Sequence, residues 1–135
     1  PPNLAALWLI GFEDEPDRSG EITVMEIFGT GVGDDTVEVG RGVKKIKDPS
    51  LREEFYDNPQ PIRVDDWHVY AIDWRPNGID FLLDERVISR SSQSPDYPMQ
   101  LMLNVYDLGT ETGSVPQTAG WFDVDYVRAY QSVVG

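Results

Sequence analysis

The chain has no cysteine, a single histidine and only 11 Lys and Arg among 135 residues. The missing thiols exclude disulfides, thiol nucleophiles and cysteine-held zinc together. Cations are outnumbered by 24 Asp and Glu, leaving a formal charge of −13. A polyanion of this kind repels phosphate backbones and anionic lipid, so neither nucleic acid nor membrane is an expected partner, and sulfated polymers are disfavoured. The one basic cluster, Lys44, Lys45 and Lys47, runs directly into Asp48, Glu53 and Glu54 and reads as a solvated strand end. No apolar run has transmembrane length, and no basic-then-apolar leader opens the chain at Pro1, so any secretion signal is expected upstream. Helical periodicity is scarce as well.

What is present is 40% hydrophobic residues, including four Trp and six Tyr, enough for one core that needs neither metal nor disulfide to fold. Short apolar runs separated by Gly, Pro, Asn and Asp predict an all-β domain. Strands are expected over residues 4–12, 21–28, 36–46, 67–74, 79–83, 86–89, 99–106 and 122–130. The first lacks alternation, and both faces of 67–74 carry apolar side chains, so both strands are expected to be buried on two sides. Pro76-Asn77-Gly78 supplies a hairpin turn and Asp84-Glu85 a second. Residues 48–58, with Pro49 at the front, suit one or two helical turns. Polar loops are expected over 91–98 and 107–120.

The segment Glu21-Ile22-Thr23-Val24-Met25-Glu26 places two glutamates within one strand. Regular alternation puts Glu21 and Thr23 on one face and Glu26 on the other. A β-bulge at Val24-Met25 would bring all three together. Aligned in that way, two carboxylates suit glycoside hydrolysis, one as nucleophile and one as acid/base. The plain alternative is a pair of solvated glutamates on an acidic surface.

This glutamate strand resembles the E-x-D-x-x-E active strand of glycoside hydrolase family 16, the laminarinases and related β-glucanases, at both glutamates. Trp67-His68-Val69-Tyr70-Ala71-Ile72-Asp73-Trp74-Arg75-Pro76-Asn77-Gly78 is similar to the family's aromatic-His-x-Tyr hairpin. Residues 98–104 and 124–131 resemble its last two core strands. The resemblance implies a concanavalin-like jelly-roll β-sandwich of two antiparallel sheets, with residues 1–135 forming a single, partial domain that lacks the family's opening strands. Exposed sheet edges would then invite an oligomer.

The implied activity is that of a secreted, retaining endo-glycosidase acting on a neutral β-linked polysaccharide such as a β-1,3-glucan. The alternative is a relative that binds the polysaccharide without cleaving it. By the resemblance Glu21 is the nucleophile and Glu26 the acid/base. Thr23 stands between them where the family has Asp. Trp8, His68, Asn104, Tyr106 and Trp121 are the implied sugar contacts. No cofactor is required, and Asp125 matches a carboxylate associated with a structural calcium.

Overall fold

Alternating β-branched and aromatic residues lay down ten strands in the computed structural model, which describes residues 3–108 and 120–133. They are β1 (Asn3–Ile10), β2 (Glu21–Phe28), β3 (Val37–Glu38), β4 (Gly40–Lys44), β5 (Glu54–Tyr56), β6 (Pro59–Gln60), β7 (Tyr70–Arg75), β8 (Gly78–Leu83), β9 (Arg86–Ser91) and β10 (Gln100–Asp107). Every pairing is antiparallel. A five-stranded sheet runs in the order β10-β1-β2-β4-β5, a three-stranded sheet is β7-β8-β9, and β3 pairs with β6. The two larger sheets pack face to face as the all-β jelly-roll sandwich that the sequence implies.

The core lies between these layers. Ile22 and Val43 from the larger sheet meet Ile79 and Phe81 from β8, with Ile72, Trp74 and Ile88 packed around them. A neighbouring cluster joins Met25 and Ile27 to Val37 and Val39, with Leu7, Tyr70 and Phe122 at its edge. At a typical 1.5–3 kcal/mol per buried aliphatic or aromatic side chain, these contacts dominate the cohesion of the sandwich. Burial holds the Tyr70 hydroxyl neutral, its pKa pushed up to about 12.

Arg41, on the inward face of β4, is almost completely buried and ties the two sheets together. It donates to Ser89 Oγ (3.0 Å) and the Ile88 carbonyl (3.2 Å) of β9, to the Val39 carbonyl (2.7 Å), and to Asn58 Oδ1 (2.6 Å). All four acceptors are neutral. Burial lowers the guanidinium's pKa, with Asp57 and Tyr56 working in the opposite direction.

Turn chemistry follows the sequence. Pro76-Asn77 joins β7 to β8, with Arg75 paired to Gly78, and Asp84 and Glu85 both adopt positive φ between β8 and β9. A Cβ at Gly78, where φ is 149°, would lie 2.6 Å from the Ser91 carbonyl oxygen.

Four expectations need correction. Residues 48–58 form no helix. Asp48 Oδ1 captures the backbone N–H and hydroxyl of Ser50, Gln93 takes the Arg52 N–H, and 54–56 are drawn into the sheet beside β4. Residues 122–130 form no strand, and none of them pairs with a described strand. β1 is mostly half-buried rather than buried on both faces. The strand expected from Trp67 begins only at Tyr70, and Trp67 and Val69 are exposed, so that segment too is not covered on two sides. The inward row of β10, Leu101, Leu103 and Val105, is also exposed, because the three-stranded sheet does not extend beneath it. Most of the loop expected over 107–120 lies outside the described residues.

Candidate active site

The outward face of the larger sheet is ordered in rows by its register. Gln100, Ile10, Glu21 and Lys44 form one row, and Met102, Trp8, Thr23 and Gly42 the next. Asn104, Ala6, Glu26 and Gly40 form a third, followed by Tyr106, Leu4 and Phe28. What allows both glutamates to face outward is a bulge. Trp8 pairs with Thr23 while its neighbour Leu7 pairs with Met25, so Val24 is the extra residue of β2. The same interruption appears against β4 between Thr23 and Glu26. Ile22, Val24, Met25 and Ile27 are buried, while Glu21 and Glu26 keep partial access to solvent.

Lys44 joins the two carboxylates. Its Nζ lies 2.9 Å from Glu21 Oε1 and 3.4 Å from Glu26 Oε2. The Phe55 ring sits behind it, 4.8 Å from the ammonium to the ring centroid. Burial works against the charged amine, but hydrogen bonds and attraction from Glu21 and Glu26 outweigh it and raise the Lys44 pKa. Lys44 is therefore held inside the site, and the reading of it as a solvated strand end is corrected. Thr23 is fully buried and donates its hydroxyl to the same Glu21 Oε1 at 2.7 Å.

Close neighbours leave room only for glycine beside the glutamates. A Cβ at Gly42 would stand 2.1 Å from the Glu54 carbonyl oxygen, and one at Gly40 would stand 3.1 Å from the Glu26 carbonyl oxygen. Two hollows flank the row. One of about 60 Å³ is lined by Glu26, Phe28, Glu38, Gly40, Phe55 and Asp57. Another of about 270 Å³ is lined by Ile10, Gly11, Phe12, Pro98, Met99 and Gln100.

A buried polar chain supports the start of β2. Tyr97 Oη accepts from the Gly20 N–H at 2.9 Å and donates to Asp48 Oδ2 at 2.7 Å. Burial raises the Tyr97 pKa, and the adjacent Asp48 adds to the effect. The Asp48 carboxyl is held below its usual range: burial opposes this, but the Ser50 and Tyr97 hydrogen bonds prevail. We expect Tyr97→Phe to leave Asp48 and the Gly20 N–H short of a partner and to cost about 1–3 kcal/mol in urea unfolding. An unchanged unfolding midpoint would remove this brace from the account.

The other expected sugar contacts are placed unevenly. Trp8 lies on the outward face, its indole N–H bonded to Asn104 Oδ1 at 2.5 Å. Asn104 Nδ2 is buried with no partner among the described residues, in the same row as Glu26. Tyr106 lies on the same face, two positions further along β10. Trp121 is 83% exposed, outside any strand.

His68 is not brought to the glutamates. It precedes β7 in the opposite sheet, with Nδ1 at 2.8 Å from Asp84 Oδ2 and Nε2 at 2.9 Å from the Arg63 carbonyl oxygen. Both ring nitrogens face acceptors, so the doubly protonated imidazolium satisfies both. Burial acts to lower its pKa, yet the Asp84 and Arg63 hydrogen bonds outweigh it and raise the value. The stabilisation is therefore complete below the unfolded value of about 6.5 and is lost as pH rises through the higher folded value. We expect the melting-temperature gap between wild type and His68→Gln to be wider at pH 5.5 than at pH 8.5; a gap independent of pH would contradict the charged pairing.

Asp125 is exposed, and no group of three or more His, Cys, Asp or Glu able to hold a metal occurs among the described residues. Calcium takes six to eight oxygens, of which Asp125 accounts for one carboxylate, so no step is assigned to the ion. No helix among the described residues is long and apolar enough to cross a membrane, which says nothing about β-barrel spanning. Sequence reasoning missed the Lys44 bridge, the Phe55 backing and the Tyr97–Asp48 brace. For Lys44 a signal existed: Gly40, Gly42 and Lys44 alternate onto one face if residues 40–44 pair beside the glutamate strand.

The class of fold is therefore an all-β jelly-roll sandwich whose larger sheet turns two glutamates outward on a bulged strand. The chain belongs to the glycosyl hydrolases family 16, matching it over residues 3–128. A beta-glucanase of Acetivibrio thermocellus is 31% identical over 77 residues, covering 51% of this chain and 22% of that protein. Two solved structures share the fold. One is a GlcNAcα1-4Gal-releasing endo-β-galactosidase from Clostridium perfringens, with TM-score 0.63 and 24% identity, covering 77% of this chain and 28% of the other. The second is the catalytic domain of an endo-1,3-β-glucanase (laminarinase) from Thermotoga petrophila, with TM-score 0.55 and 23% identity, covering 77% of this chain and 46% of the other. The chain thus spans less than half the length of each of these relatives.

Proposed function

We propose that this chain carries the catalytic face of a secreted, retaining endo-glycosidase acting on a neutral β-linked polysaccharide such as a β-1,3-glucan. The observation that carries the reading is the pair Glu21 and Glu26, turned to one face by the Val24 bulge and sharing one ammonium. Two contacts to one nitrogen hold the nearest carboxylate oxygens within about 6 Å of each other, a limit that admits the 5–5.5 Å carboxyl separation of retaining enzymes.

Glu21 Oε1 is engaged by Thr23 and Lys44, while Oε2 has no hydrogen bond among the described residues and is the oxygen aimed at the anomeric carbon. As Glu21 forms its bond to that carbon, Glu26 gives its proton to the departing glycosidic oxygen. In the second half, Glu26 takes a proton from water, the water oxygen bonds to the same carbon, and Glu21 leaves. Two inversions restore the starting configuration. Trp8, Asn104, Tyr106 and Trp121 supply flat and hydrogen-bonding surfaces for the sugars. Glu38 and Asp57 line the hollow beside Glu26, so a neutral polymer fits the field better than an anionic one.

Thr23, which cannot carry the charge of an aspartate, favours a second reading: a module that binds the polysaccharide without cleaving it. Reducing-end release from neutral β-glucans and agarose, wild type beside Glu21→Gln, separates the two. Release lost in the variant supports the hydrolase, with the product's first anomer by NMR reporting retention. Binding of oligosaccharide with no release from either protein supports the binding module.

A further inference from the structure

We propose that Lys44 is a positioning residue of this site, bridging Glu21 and Glu26 and offsetting their mutual repulsion so that the pair keeps its spacing. The inference rests on the catalytic roles proposed above and adds a residue to them. Register places Lys44 directly opposite Glu21 on the neighbouring strand, so its reach to the pair is set by the backbone. Gly42 and Gly40 follow Lys44 on the same face of β4 and put no side chain between it and Glu26, which stands opposite Gly40. Phe55 limits its freedom from behind.

Two carboxylates held on one ammonium are close enough to repel each other. Lys44 offsets that repulsion. Among the described residues no other cation contacts either glutamate: β1 and β10 present Trp8, Ile10, Gln100, Met102 and Asn104, while Thr23 is neutral. The remaining charges facing Glu26 are the carboxylates of Glu38 and Asp57 around the adjoining hollow, which work in the opposite sense. By touching Oε1 of Glu21 and Oε2 of Glu26, the ammonium also leaves the other oxygen of each carboxylate available to substrate.

The test compares wild type with Lys44→Met, Lys44→Gln and Lys44→Arg. Profiles of kcat/KM against pH are recorded together with 13C NMR titration of the Glu21 and Glu26 carboxyl carbons in each folded protein. Removing the cation is expected to move both limbs of the profile, and both carboxyl titrations, upward by about one pH unit or more. Arg is expected to restore them, because it supplies the same charge. The Gln variant keeps a polar stem and serves where Met disturbs folding. Unchanged carboxyl titrations in the neutral variants would overturn the proposal even if activity fell, since a purely structural lysine predicts that result. If no protein hydrolyses any substrate, the carboxyl titrations still decide the role of Lys44, while the missing turnover counts separately against the hydrolase.

Discussion

Glu26→Gln is expected to slow polysaccharide hydrolysis by ~10²–10⁴-fold while slowing hydrolysis of an aryl glycoside with an acidic phenol far less. The difference follows from what Glu26 is asked to do. A sugar hydroxyl departs poorly without a proton, whereas an acidic phenol departs as its anion and needs none. Glu21→Gln should lose both reactions, because a neutral amide in place of the carboxylate cannot hold the anomeric carbon through the covalent stage. Initial rates on the two substrate types for the two variants form the measurement. Equal slowing of both substrates by Glu26→Gln would exchange or abolish the assigned roles.

The second large effect concerns stability. Arg41→Met should lower the unfolding free energy by about 3 kcal/mol, with a melting temperature lower by roughly 10 °C. Met fills a comparable volume, so packing changes little. What is lost is the set of donors serving Ser89, Ile88, Val39 and Asn58, three of them shorter than or equal to 3.0 Å. Isolating the acceptors in the core is more costly than removing a surface ion pair, whose worth is commonly below 1 kcal/mol. Calorimetry beside Arg52→Met, whose partner Glu54 is reached at the surface, supplies the contrast. A similar small drop in both would show that the buried guanidinium contributes little.

The paired glutamates and their bulge were legible because strand alternation is a local rule, and a five-residue spacing within one apolar strand breaks it visibly. The Pro76-Asn77-Gly78 and Asp84-Glu85 turns were legible for a similar reason, since a fixed proline φ and the tolerance of Gly78 and Asp84 for positive φ belong to residue types, although Glu85, also at positive φ, is not such a type. Lys44 was not. Its role depends on which strand lies beside β2, and residues 40–44 are separated from Glu21 by about twenty positions of chain with no local marker of pairing. The misread stretch 48–58 shows local propensity losing to long-range contacts: Pro49 suits a helix start, but Gln93 and β4 claim the backbone first. His68 was drawn toward the glutamates by family resemblance alone, and its sequence position did not reveal that Asp84 would take its ring.

The single supernumerary residue in β2 gives the strand a parity. Glu21 and Glu26 are an odd number of positions apart, and in an unbroken pleat an odd interval means opposite sides. Val24 corrects the count by one. Losing Val24 together with its bulge would leave an even interval of four, which an ordinary pleat turns to one side, whereas adding or removing a residue with the bulge kept would send one carboxylate into the layer held by Ile22, Val43 and Phe81, where a charge without a partner is least tolerated. Length between these two positions is therefore coupled to the bulge: side chains at 24 and 25 have apolar substitutes, but a change in the number of peptide units joining the carboxylates must come with the loss or gain of that one extra residue.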